Sequence, residues 1–158
     1  MRIVWRNPDG SLYITVPASP RIDGEDDAAY LDRVAARTQS AVPSLADAVR
    51  VHNIATADLI PGDRTFRGAW TVDGDAIGVD MGKAREIQRQ RLRDLRTPIL
   101  DQLDRALQRA LDQGNNDEAA RISARRQALR DVTAAPEIAA ARTPDELKLA
   151  GMGVIAAG

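Results

Sequence analysis

Cysteine is absent from this chain, so it has no disulfide framework, no thiol nucleophile and no cysteine-ligated metal. Histidine occurs once, at His52, which leaves a structural zinc site without its ligand set. Aromatic residues make up 3% of the chain, with a single Phe, so most of the core has to come from Ala, Leu, Ile and Val. No apolar run approaches the roughly 18 residues that a membrane span needs. Met1 to Asn7 lacks the apolar stretch of a signal peptide, and cytoplasmic synthesis is the expectation. Lysine is scarce too: of 22 basic residues only Lys83 and Lys148 are not Arg. A GC-rich genome explains that bias without any function. The sharper explanation is ion pairing at interfaces, where a planar guanidinium does better than an ammonium.

What is present is a soluble composition, 44% hydrophobic and 28% charged, in 158 residues. That suits one domain, or one small domain with a helical extension. The net charge of −1 hides an asymmetry, because residues 1–80 hold 8 Arg against 12 acids and residues 81–158 hold 14 basic residues against 11 acids.

Along the chain, residues 2–6 and 11–16 read as a hairpin around Asn7-Pro8-Asp9-Gly10, where Pro and Gly suit a tight turn. Asp23 to Asp27 is an acidic lead-in to a helix from about Asp26 to Ser40. Ala48 to Asn53 alternates like a strand that Ile54 to Ile60 extends, Thr65 to Val72 reads as another, and Ala76 to Val79 as a short one after the turn Asp73-Gly74-Asp75. From Asp80 the period becomes helical. At Thr97-Pro98 two readings compete, a kinked continuous helix or a new helix with Pro98 in its first turn. The continuing apolar phase Leu95, Ile99, Leu103, Ala106, Ala110 favours the first. Gly114 ends that helix, and Asn115 with Glu118 opens the next, to about Thr133. A turn this short makes the two helices antiparallel neighbours. Thr143-Pro144-Asp145-Glu146 starts a short helix to about Ala150, followed by a small apolar tail that is either frayed or docked on a partner. The expected fold class is therefore α+β: a small N-terminal β-hairpin module with one short helix over 1–79, then a long antiparallel helical hairpin over 80–158.

None of the chemistry-bearing residues forms a catalytic pattern. His52 alternates with strand residues, and the serines lack a nucleophile elbow. Asp73-Gly74-Asp75 lacks the closing acid of a calcium loop. Gly78 and Gly82 do not make a phosphate loop. No catalysis, cofactor or metal is expected. Lys83, Arg85, Arg89, Arg91, Arg93 and Arg96 cluster on one helix, and Arg121, Arg125, Arg126 and Arg130 on the next. They occupy several faces, acids interleave, and no rings alternate with them to stack bases, so nucleic acid binding is the weaker reading.

Two stretches, HNIATADLIPGDRTFRGAW and VDGDAIGVDMGKAREIQRQRLRDLR, sit between an IVWRNPDGSLYITVPA hairpin and a TPDELK helix start. In that order the pattern resembles a type of small tailed-bacteriophage protein, mostly of unassigned role, found among tail and tail-fibre proteins. The resemblance spans nearly the whole chain and carries no catalytic motif. It implies synthesis in the bacterial host cytoplasm and a place in the tail region of the virion, with other tail or fibre proteins, or further copies in a homo-oligomer or ring, as partners. A non-virion fibre-assembly chaperone is the alternative, and a nucleic-acid-binding accessory protein a weaker one. Expected anchors of the β module are Phe66 and Trp70 with Trp5 and Tyr13 as companions, and Arg64 and Arg67 as polar partners held near a ring. Leu92, Leu95, Ile99, Leu103, Leu107 and Leu111 are expected to bury the hairpin face against Ile122, Leu129 and Val132.

Overall fold

The structure, a computed structural model, describes residues 1–55 and 57–157. The fold class is α+β, and the chain divides into two compact units, Met1–Asp80 and Met81–Gly158.

In the first unit, β1 (Arg2–Arg6) is the central strand of an antiparallel sheet ordered β2–β1–β3, with β2 at Leu12–Thr15 and β3 at Val49–Ile54. The β1–β2 turn is set by Asp9 Oδ1, which accepts from the Ser11 N–H at 2.8 Å, and by Gly10 at φ +80°. Alternation along β1 sends Ile3 and Trp5 to one face and Val4 to the other. Ile3 and Trp5 pack with Leu31, Val34 and Ala35 of helix α1 (Asp27–Ala41). Val4 packs with Leu12, Ile54, Trp70 and Ile77. The last two come from a hairpin, β4 (Trp70–Asp73) and β5 (Ala76–Val79), that covers the second face. A strand covered on both faces reads as the unbroken apolar run Ile3-Val4-Trp5.

The acidic lead-in does more than favour a helix start. Asp26 caps α1, accepting from the Ala29 N–H at 2.8 Å. Glu25 takes both Nε and Nη2 of Arg33, each at 2.7 Å, and the Ile22 N–H at 3.1 Å. Tyr30 donates to the Ser19 carbonyl at 2.8 Å, and the Arg21 and Arg33 guanidiniums lie over its ring. The Pro-rich stretch before α1 is thereby tied to the helix.

Two expectations fail here. Thr65 to Val72 is not one strand: Asp63 Oδ1 accepts from the Thr65 N–H at 2.8 Å, a 3₁₀ turn follows at Arg67–Ala69, and strand begins only at Trp70. The aspartate turn wins over β propensity. The ring cluster also divides. Trp5 and Tyr13 lie on the α1 face and Trp70 on the other, because strand alternation separates them. A third expectation, the extension of β3 over Ile54 to Ile60, fails as well: the strand ends at Ile54 and a 3₁₀ turn stands at Ala57–Leu59, with Thr56 outside the described residues, as is Gly158 at the end of the apolar tail.

In the second unit, α2 (Met81–Asp112) runs through Pro98 without a break, so the reading of a new helix at Thr97 is overturned. The Thr97 hydroxyl donates back to the Arg93 carbonyl at 2.9 Å instead of capping a new start. Gly114 at φ +69° turns the chain, and Asn115 caps α3 (Asn116–Asp131) by accepting the Glu118 N–H at 3.2 Å. The seam joins Leu103, Ala106, Leu107 and Ala110 of α2 to Ala119 and Ile122 of α3. At 16 residues α3 is half as long as α2, and the rest of α2 is covered by three short helices: α4 (Pro136–Ala140), α5 (Pro144–Leu149) and α6 (Met152–Ala156). Thr143 and Glu146 form a reciprocal capping box at α5. Within the tail, α6 packs on α2 and α3 of its own chain.

Leu95 and Leu111, expected in the hairpin face, are 40% and 53% exposed. At 3.6 residues per turn each lies about 80° from Leu103, on opposite flanks of the buried stripe. The covering helices do not reach that far round.

Candidate interface surfaces

The second unit is held by arginines and one glutamine that close helix ends. Gln88 is fully buried, and its Nε2 donates to the Ala150 carbonyl at 2.9 Å while its Oε1 accepts from Arg91 Nη1 at 2.8 Å. Arg85 donates to the carbonyls of Ile138 and Ala141 at 3.2 and 2.8 Å, and Arg96 to those of Leu129 and Arg130 at 3.1 and 2.6 Å. These carbonyls are the acceptors that short helices leave without intrahelical donors. Arg89 pairs with Glu86, Arg121 with Glu118 and Arg126 with Asp104. Much of the basic cluster is thus spent on the chain's own fold.

Among the described residues each unit carries a concave surface. On the helical unit a groove of about 380 Å³ runs over Ile99, Leu103, Ala106 and Ile122, with Arg121 and Arg125 at its side. The exposed Leu95 and Leu111 continue α2's apolar surface on its two flanks. Leu149 is 73% exposed on α5. Leu92, Leu129 and Val132 are buried, whereas Ile99, Leu103 and Leu107 are only partly so.

On the β unit a cleft of about 400 Å³ has Trp70 as its largest lining residue. Ile14, Val16, Ile60 and Pro61 supply apolar wall, and Arg2, Arg64 and Arg67 supply charge. No acidic residue lines it. Arg64 and Arg67 are exposed, and among the described residues neither has a carboxylate partner. The expectation that they sit near a ring is met only in that they share this cleft with Trp70; the guanidiniums stacked on a ring are those of Arg21 and Arg33 on Tyr30. Trp70 is buried, at 5% exposure, and among the described residues its Nε1 has no hydrogen-bond partner, whereas the Trp5 Nε1 donates to Thr15 Oγ1 at 2.9 Å. Phe66 is buried, at 3% exposure.

The remaining chemistry is sparse. His52 Nε2 lies 3.4 Å from Asp75 Oδ1, an exposed carboxylate on the β4–β5 turn. The Ser11 hydroxyl is engaged with Asp9 at 2.6 Å. The sequence pointed to Arg64, Arg67 and Trp70 individually, but not to Arg2, Ile14 and Val16, which join them through the β1–β2 ladder. Their only signal was the period-2 pattern of that hairpin. The chain matches no family model, no curated protein and no solved structure.

Proposed function

We propose that this chain is a structural component of a tailed-bacteriophage particle, in the tail, fibre-attachment or connector region, working through protein–protein contacts and without catalysis. The ordered sequence pattern supports the phage setting. The observation that carries the contact role is the apolar surface left on α2, where Leu95 and Leu111 are exposed on opposite flanks and the groove over Ile99 and Leu103 is open. Leu95 stands one turn from the partly buried Ile99 and Leu111 one turn from the partly buried Leu107, so each extends apolar surface that suits a contact. Two flanks suit a subunit with a neighbour on either side, as in a ring. The intrachain use of Arg85, Arg96, Arg121 and Arg126 counts against a nucleic-acid face on the helices.

The test is quantitative mass spectrometry of density-purified particles of the encoding phage. A fixed, stoichiometric copy number per particle is expected. Absence from particles together with abundance in the infected lysate would overturn the virion assignment and leave the assembly-chaperone reading.

A further inference from the structure

From the cleft on the β unit we infer a binding site for a carboxylate carried on an apolar peptide segment, an acidic side chain flanked by apolar residues in a partner protein. The inference stands on the cleft alone and does not depend on the virion assignment.

Three arginines, Arg2, Arg64 and Arg67, line one cleft with no acid among its described lining residues, and Arg2 Nη1 also donates to the Met1 carbonyl at 3.2 Å. Elsewhere in the unit the arginines with carboxylate neighbours are paired within the chain, Arg21 with Asp27, Arg33 with Glu25 and Arg50 with Asp32. Arg64 and Arg67 are exposed, line the cleft and have no carboxylate partner among the described residues. A guanidinium holds a carboxylate through two parallel N–H donors, a geometry it shares with phosphate.

The surroundings decide between those anions. The unit carries 12 acids against 8 Arg in residues 1–80, so its wider field repels a polyanion and only the local arginine group attracts a single charge. The one ring in the cleft, Trp70, is almost wholly buried and offers no open face for a nucleobase. The walls Ile14, Val16, Ile60 and Pro61 suit aliphatic side chains next to the acid. A volume of about 400 Å³ is ample for an acidic side chain with its apolar neighbours.

The Trp70 indole N–H, without a hydrogen-bond partner among the described residues, serves as reporter, and that of Trp5, bonded to Thr15, as internal control. The experiment titrates the ¹⁵N-labelled full chain with an end-blocked peptide that has one glutamate between leucines, and in parallel with its glutamine counterpart, with inorganic phosphate and with a short thymidine oligonucleotide. A saturable shift of the Trp70 indole signal by the glutamate peptide is expected, with the Trp5 signal unmoved. The glutamine peptide should bind about tenfold more weakly or not at all, since one charge-assisted hydrogen bond is lost. The exposed double variant Arg64→Gln/Arg67→Gln should weaken the glutamate peptide by about tenfold or more while leaving the Trp5 signal in place. No saturable shift, equal binding of the glutamine peptide, or unchanged affinity in the double variant would overturn the site. Tighter binding of phosphate or of the oligonucleotide than of the glutamate peptide would overturn its assignment to an acidic peptide.

Discussion

Gly151 shows how one residue locks the C-terminal helices in place. It sits at φ +77°, and a Cβ built there would lie 2.8 Å from Leu92 Cδ1 and 3.1 Å from Val132 Cγ2. Both neighbours are buried, so neither can swing aside into solvent. Gly151→Ala is expected to cost about 2–3 kcal/mol, strain and overpacking together. Gly114 has a similar φ of +69° but open space around it. Gly114→Ala should therefore cost only about 1 kcal/mol, the backbone part alone. Urea unfolding followed by helix circular dichroism compares the two, and equal costs would show that the packing at Gly151 is not tight. Glu25 makes a different, pH-dependent contribution. The two-bond grip of Arg33, opposed by desolvation and helped by the Ile22 N–H, holds its carboxyl at about 2, below its ordinary 4.5. A carboxyl depressed on folding stabilises above its unfolded value, and that stability drains away as pH falls through the folded one. Between about pH 4.5 and about pH 2 the wild type should therefore lose stability more steeply than Glu25→Gln. Parallel pH profiles of the two unfolding midpoints would contradict the assigned grip.

At the scale of elements, α2 tolerates a proline at its centre because its stripe continues in phase on both sides. Pro98 is exposed and lacks the N–H that would reach the Asp94 carbonyl. Pro98→Ala is expected to raise the stability of the helical unit by about 1–3 kcal/mol, read as a higher melting temperature. No gain would mean that a bend at this point is itself needed for packing. Leu103 lies in the seam with α3, partly buried, and Leu103→Asp should cost about 2–4 kcal/mol by placing a charge against Ala119 and Ile122. A variant that melts like the wild type would misplace that face. These elements also show what the sequence can disclose. The hairpin Arg2–Arg6 with Leu12–Thr15, the capping box at Thr143 and the Gly114 turn are legible because each is set by neighbours in sequence. Helix α4 was not read, although Pro136 and Glu137 mark its start, because five residues are too few to show a period. The partition of Trp5 from Trp70 and the exposure of Leu95 and Leu111 depend on which element covers which face, and composition does not carry that information. For the same reason the Arg2–Arg64–Arg67 grouping was hidden, since the loop that brings Arg64 near Arg2 has no local signature.

For the whole molecule, scarcity of rings and lysine has a structural counterpart. The core is mostly aliphatic, with Trp5, Phe66 and Trp70 buried in the first unit, and arginine closes helix ends in the second, at Arg85 and Arg96. Apolar surface on α2 and charge at the β-unit cleft are two faces of different chemistry suited to different partners. The contact role of the chain is tested most directly by light scattering on the purified protein at tens of micromolar, beside the double variant Leu95→Glu/Leu111→Glu. Both positions are largely exposed, so the variant should fold, each change costing about 1 kcal/mol. The wild type is expected to form a defined oligomer that the double variant does not. A wild type that stays monomeric, with helicity unchanged on dilution, or a double variant that assembles equally well, would contradict assembly through α2.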